Sequence, residues 1–149
     1  MHDRSTRRFI WVSLVVQLVG YVYDAVWHGL LNPGFEPATR AEMAHHLATV
    51  HLPLYLGAAA VLVSTGAGLL AGGRRSAGGL ALPVAFAGAL VSAGAEAWHA
   101  SSHLALDTHS APVAGILSVI GFLVVLVSMS FSRRGRQRQS AGTSDRRAA

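Results

Sequence analysis

Apolar and polar residues are arranged along this chain in long blocks rather than in short periods. Four apolar blocks cover positions 9–31, 52–71, 79–100 and 112–131. About 20 helical residues span the roughly 30 Å hydrocarbon core of a bilayer, and a spanning segment must be helical because lipid offers its backbone no hydrogen-bond partners. The pattern therefore predicts an all-α, integral membrane four-helix bundle.

Polar segments at both ends of the chain define three predicted parts. Residues 1–8 form a basic arm, residues 9–132 the four-helix transmembrane domain, and residues 133–149 a basic tail. The tail has almost nothing to bury, which is typical of disorder. The first block is too long for a signal peptide and lacks a small-residue cleavage site after it, so it is predicted to be a retained helix.

Arginine is concentrated in three of the segments that flank these blocks. They include Arg4, Arg7 and Arg8 before the first block, Arg74 and Arg75 between the second and third, and Arg133, Arg134, Arg136 and Arg138 after the fourth. Because basic residues are retained on the cytoplasmic side, both termini are predicted to be cytoplasmic in a multi-pass protein of the cell membrane. The net charge of +5 then reflects topology and attraction to membrane lipid. Nucleic-acid binding is not expected, since the arginines are divided and lack interleaved aromatic residues.

Histidine and acidic residues favour the other side of the predicted membrane domain. All histidines except His2 fall at outer helix ends or in outer loops; they are His28, His45, His46, His51, His99, His103 and His109. Asp24, Glu36, Glu42, Glu96 and Asp107 share that side. Cysteine is absent, which leaves imidazole and carboxylate as the available metal ligands.

Two carboxylates lie deep in their helices. Counted along the helix, Asp24 is about 22 Å and Glu96 about 25 Å from the inner end of its block. An ionisable group in that zone costs about 2–3 kcal/mol and is usually paired or functional. His28 follows Asp24 by one turn, and Glu96 is followed by His99 and His103 at spacings of three and four, so each set forms one helical stripe.

These stripes predict two ligand groups. In the first, Asp24 and His28 join His51 at the start of the next helix; the alternative is that Asp24 and His28 only pair with each other and hold helices together. The second contains Glu96, His99, His103 and His109, of which the last two are otherwise solvated loop residues. Asp107 is interpreted as a loop acid or a cap for the fourth helix.

A Glu-x-x-His spacing occurs twice. Glu42 precedes His45, and Glu96 precedes His99, in the pattern that di-iron carboxylate bundles use. His45 is therefore included among the candidate ligands, although the Glu42 pair is equally explained as a solvated helix face. His46 points about 100° away from His45 on an α-helix and is expected to lie outside the site.

The outer helix ends also suggest an internal repeat. Trp27-His28 matches Trp98-His99, and the six-residue spacing of His45 and His51 matches that of His103 and His109. The sequence thus predicts two repeated helical hairpins, related by an axis along the membrane normal.

The stretch YDAVWHGLL…HLPLYLG resembles the metal-binding region of a copper-binding membrane subunit found in particulate methane and ammonia monooxygenases. That family carries Asp-x3-His on one helix and His on the next, followed six residues later by Gly, and these polar residues bind copper. The resemblance covers roughly a quarter of the chain and implies copper ligation by Asp24, His28 and His51, with Gly57 at the glycine position. The family's subunit is larger and works beside other subunits.

The predicted function is binding of a transition metal at the outer side of the membrane, with copper favoured and iron or zinc as alternatives. Such an ion would serve redox or oxygen chemistry, as in a metal-dependent oxidoreductase, or metal handling. Two other functions remain open: a haem-binding electron carrier, with histidines such as His28 and His99 facing each other, and a non-catalytic membrane scaffold or accessory subunit whose polar cluster locks the helices. A homo-oligomer or a partner membrane subunit is expected.

Overall fold

The computed structural model describes residues 2–72, 80–107 and 110–148, with side chains for 4–71, 80–107 and 110–132. Within these ranges the protein is all-helical. The helices are α1 (His2–Val26), α2 (Arg40–His46), α3 (Leu52–Gly72), α4 (Ala81–Leu104) and α5 (Ala111–Ala148). Two π-helical turns extend them: Trp27–Leu31 continues α1, and Leu47–His51 joins α2 to α3 without a break.

Four helical segments in the described part of the chain are long and apolar enough to cross a membrane. They are Arg4–Leu31, Arg40–Ala71, Ala81–Leu104 and Ala111–Ser132. Their outward surfaces carry large exposed apolar side chains, such as Val19, Leu90 and Ile116, which suits contact with lipid. The prediction of an all-helical protein with four helices long and apolar enough to span a membrane is confirmed for the described residues.

The helices pack as two pairs that meet side by side: α1 lies against α3, α4 against α5, and α3 against α4. Glycine permits the closest approach in each pair. A Cβ at Gly57 would collide with the backbone of Gln17, and a Cβ at Gly121 would lie 2.5 Å from the backbone nitrogen of Ser92. Small residues at such crossings bring helix backbones together in membranes.

The interior of the bundle differs between its two ends. An apolar cluster fills the end near the N-terminus of α1; it contains Ile10, Leu14, Val61, Ala85, Ala89, Phe122, Val125 and Met129. Toward the other end the buried side chains become polar, beginning with Gln17, Ser92 and Ser118. The histidines lie beyond these, at the polar end.

Three boundaries differ from the predicted ones. Helix α1 already begins at His2, so it includes the basic arm, and α5 continues as helix to Ala148 through the segment predicted to be disordered. Arginine, glutamine and alanine are good helix formers, and this explains a helix where there is little to bury. The second spanning segment begins at Arg40 rather than at position 52, which places His45, His46 and His51 on one continuous helix.

Candidate metal centre

Five histidines converge where three helical segments meet at the polar end of the bundle. His28 lies in the π turn that follows α1. His46 is the last residue of α2, and His51 is the last residue of the π turn between α2 and α3. His99 and His103 lie on the last turns of α4. They form two groups that could hold a metal ion: His28, His46 and His51, here called the first triad, and His51, His99 and His103, the second triad. His51 belongs to both.

In the first triad the three rings point their nitrogens at one another. His46 Nε2 lies 3.2 Å from His28 Nε2 and 3.2 Å from His51 Nε2. His46 is 4% and His51 1% exposed. Three nitrogens bound at about 2.0–2.1 Å to one tetrahedral ion would lie about 3.3 Å apart, so the spacing is close to that of a coordination sphere.

Hydrogen bonds alone do not explain this convergence. A ring nitrogen carries either one hydrogen or one lone pair, in a single direction in the ring plane. His46 Nε2 therefore cannot satisfy both His28 Nε2 and His51 Nε2, although both lie at hydrogen-bonding distance. A cation between the three lone pairs would satisfy all of them at once.

The π turn explains why His46 belongs to the first triad. On an α-helix, residues five apart such as His46 and His51 differ by about 140° in direction. The segment Leu47–His51 is π-helical, and a π turn closes after five residues instead of four. It therefore brings His46 and His51 to the same side of the helix.

The second triad is held from behind by a backbone hydrogen bond. His99 Nε2 lies 3.0 Å from His103 Nε2, while His99 Nδ1 lies 2.9 Å from the carbonyl oxygen of Ala111. Because a carbonyl only accepts, Nδ1 of His99 must be the donor, and in the neutral ring this leaves a lone pair on Nε2. Metal-binding histidines are commonly oriented by such an outer hydrogen bond.

Asp24 connects the first triad to α1. Its Oδ1 lies 3.5 Å from His28 Nε2 and 3.4 Å from His51 Nδ1. The side chain is 28% exposed, so the carboxylate is partly shielded by the histidines it contacts. It is placed either to bind an ion directly or to orient His28 and His51.

Glu96 is more deeply enclosed than Asp24. It is 4% exposed and hydrogen-bonds to Ser118, while its Oε2 has no hydrogen-bond partner in the described part of the chain. Ser118 continues a buried polar network: its hydroxyl lies 2.6 Å from the Tyr21 hydroxyl and 3.2 Å from that of Ser92, to which Gln17 donates at 2.7 Å. Glu96 thus stands between the histidines and this network.

Aromatic rings enclose both sides of the first triad. Trp27 packs against His28 and His46, at centroid distances of 4.8 and 4.5 Å. Phe35 contacts Trp27 and His46 in turn. On the inner side, the Tyr55 ring stacks on His51 at 5.8 Å. These contacts limit the rotation of the imidazoles.

The structure brings most of the predicted ligands together. Asp24, His28, His51, Glu96, His99 and His103 all lie in or beside the two triads, and His109 lies outside the described residues. The one-turn spacings in the sequence therefore identified the helix ends at which the two triads lie.

His45 and His46 exchange their predicted roles. His45 is exposed and belongs to neither triad, whereas His46 is buried between His28 and His51. The prediction assumed 100° per residue, which the π turn breaks. No signal in the sequence could have found His46, because nothing in the spacing of the histidines indicates a π turn.

Two acids have capping roles instead. Glu42 accepts a hydrogen bond from the Ala38 amide at 2.9 Å, and its own amide donates to Thr39 Oγ1 at 3.2 Å, at the start of α2. This explains Glu42 without a metal. Asp107 accepts from the amide and the hydroxyl of Ser110, directly before α5, as interpreted from the sequence.

No protein-family profile, curated protein or solved structure matches this chain. The resemblance to the copper-binding membrane subunit of the particulate monooxygenases therefore stays a prediction that rests on Asp24, His28, His51 and Gly57.

Proposed function

We propose that this protein is an integral membrane protein that binds a transition-metal ion through its histidine cluster on the extracytoplasmic side. The observation that carries the proposal is the convergence of the Nε2 atoms of His28, His46 and His51, at 3.2 Å spacings that hydrogen bonding cannot satisfy. The extracytoplasmic side follows from the positive-inside rule, because Arg4, Arg7 and Arg8 lie at the start of α1, at the opposite end of the bundle.

Copper is the favoured ion. Imidazole and carboxylate suit copper, iron and zinc, and among divalent first-row ions an N/O site binds Cu²⁺ most tightly. The chain contains no cysteine, so it has no thiolate ligand to offer a metal ion. The proposed role is redox or oxygen chemistry at the bound ion, or metal handling at the outer membrane surface.

The geometry favours an ion over a haem. A porphyrin held by two histidines lies between their rings, but the nitrogens of the paired histidines are separated by only 3.0–3.2 Å. The same spacings support a metal site over a purely structural cluster, because a helix-locking polar cluster is expected to pair its hydrogen-bond donors and acceptors.

The test is the metal content of the full chain, purified in detergent without an affinity tag. After exposure to copper, iron and zinc salts and removal of free ions, elemental mass spectrometry should find metal in wild-type protein. His51→Ala removes the residue common to both triads and should weaken binding at least about tenfold. His45→Ala, an exposed histidine on the same helix, should bind as wild type.

Circular dichroism of each variant shows whether the helices persist. Wild-type protein that stays empty with all three metals would contradict the proposal. Equal binding by the His51→Ala and wild-type proteins would contradict the assigned site.

A further inference from the structure

We propose that the cluster holds two metal ions rather than one, with the His51 ring between them as a shared, bridging ligand. This inference rests on the proposed metal-binding function and extends it to the number of ions and to the link between them. One ion lies in the first triad and the other in the second.

The first support is the way the ligands divide. His28 and His46 group with His51, His99 and His103 also group with His51, and in the described part of the chain no such group mixes the two pairs. Ring centroids of His28 and His46 lie 5.7 and 5.0 Å from that of His51, and those of His99 and His103 lie 5.5 and 5.7 Å from it. The His51 ring is therefore the centre of the five-histidine cluster.

The second support is the number of ligands. A tetrahedral ion binds four groups, but five imidazoles and the Asp24 carboxylate meet here, with Glu96 directly beneath. A single ion in the first triad would leave His99 and His103 outside its coordination sphere, and one in the second triad would leave out His28 and His46. Two ions use the full set, each with two histidines of its own and a share of His51.

The third support is the state of the two His51 nitrogens. Nε2 faces His46 at 3.2 Å. On the other edge of the ring, Nδ1 is buried, has no hydrogen-bond partner in the described part of the chain, and has Asp24 Oδ1 at 3.4 Å. The ring is 1% exposed and stacked on Tyr55, so neither nitrogen can turn to water. Nε2 is thus directed at the first triad, and Nδ1 is the nitrogen left for the second ion.

An imidazole ring that bridges two ions favours divalent cations that bind nitrogen ligands. With both nitrogens coordinated, the ring releases its remaining N–H proton to the solvent and becomes an imidazolate, which two divalent cations favour because they bind deprotonated ligands. Nitrogen–metal bonds of about 2.0–2.1 Å on either edge put the ions about 6 Å apart. Imidazole-binding divalent ions such as Cu²⁺ and Zn²⁺ fit this description.

The first experiment counts ions in the tag-free full chain. Zn²⁺ is added in steps, free ion is removed, and elemental mass spectrometry gives zinc per chain. Wild type should bind two. His46→Ala, which disrupts only the first triad, should bind one, and so should His103→Ala, which disrupts only the second. His45→Ala is the matched control and should bind two.

The possible results separate this inference from the proposed function. One zinc per wild-type chain, lost in both His46→Ala and His103→Ala, would overturn the two-ion proposal while leaving the metal site intact. No metal in wild type would remove both proposals.

A second measurement needs no variant and so does not depend on variant folding. One equivalent of Cu²⁺ should give the electron paramagnetic resonance signal of an isolated ion. A second equivalent should reduce the signal per copper, because an imidazolate bridge couples the two spins. A signal that simply doubles would show that the ions are not bridged by His51.

Discussion

Asp24 shows how one side chain organises the cluster. It contacts both His28, on its own helix, and His51, on the next, through the same oxygen at 3.5 and 3.4 Å. A negative charge in this position favours a bound cation, and the carboxylate oxygen lies close enough to both rings to join the ligand set itself. Asp24 therefore contributes both its charge and its position. Replacing it with asparagine, which has nearly the same shape but no charge, separates the two contributions.

We expect Asp24→Asn to weaken metal binding by about 10–100-fold, the range usual for groups next to metal ligands, because the substitution removes the negative charge. Competition with a chelator of known affinity measures the change in dissociation constant. Glu36→Gln removes one charge from an exposed acid in the loop at the same end of the bundle and should bind as wild type. If both variants weaken binding equally, Asp24 acts only through the overall charge.

Most of the candidate ligands could be predicted from one-turn spacings, because the geometry between Asp24 and His28, or between His99 and His103, is that of an ordinary helix face. The exposure of His45 and the burial of His46 could not. They depend on a local change of helical pitch at Leu47–His51, and the buried His46 packs against Trp27, which is distant in sequence.

At the scale of elements, the π turns determine how the histidines meet. Such turns occur often at functional sites and accommodate one additional residue within an otherwise α-helical segment. Leu47–His51 is of this kind, with α2 before it and α3 directly after it. Without the additional residue, His46 and His51 would be four apart and would still share a face.

This predicts opposite outcomes for two single-residue deletions. Deletion of Ala48, exposed in the π turn, should convert it to α-helix and leave metal content near that of wild type. Deletion of Ala97, exposed in regular α4, should turn His99 and His103 by about 100° relative to the preceding helix and lower metal content. Elemental analysis measures the metal content of both proteins, and circular dichroism verifies their helix content. Equal loss in the two would contradict the role given to the π turn.

The predicted repeat of the two hairpins stays a prediction, but the packing gives it a different register. Gly57 lies against Gln17 in the first hairpin, and Gly121 lies against Ser92 in the second. Aligning Gln17 with Ser92 would pair Asp24 with His99 and His28 with His103. The match of the two Trp-His pairs, used for the sequence prediction, belongs to another register.

At the scale of the whole molecule, block lengths were sufficient to predict four membrane-spanning helices, because lipid allows few other structures. The start of the second spanning segment at Arg40 could not be read from hydropathy, since α2 is rich in charged and polar residues. It becomes part of the bundle through buried Met43 and His46.

The orientation of the bundle can be measured because the chain has no natural cysteine. In intact cells, a membrane-impermeant maleimide should label Ala38→Cys, in the loop beside the triads, and should not label Ser5→Cys or Ser140→Cys until the cells are lysed. This result is expected from the arginine distribution. Labelling of Ser5→Cys in intact cells would reverse the orientation and place the histidines on the cytoplasmic side.

If the histidine cluster binds an ion as proposed, the apolar cluster at the opposite end of the bundle determines how that ion can leave. Ile10, Leu14, Val61, Phe122 and Val125 fill the space between the helices there, and a bare cation crossing such a region is strongly opposed. An ion that enters the histidine cluster must then leave by the same end. With the proposed orientation, occupancy would follow the supply of metal outside the cell, independently of the metal buffered in the cytoplasm.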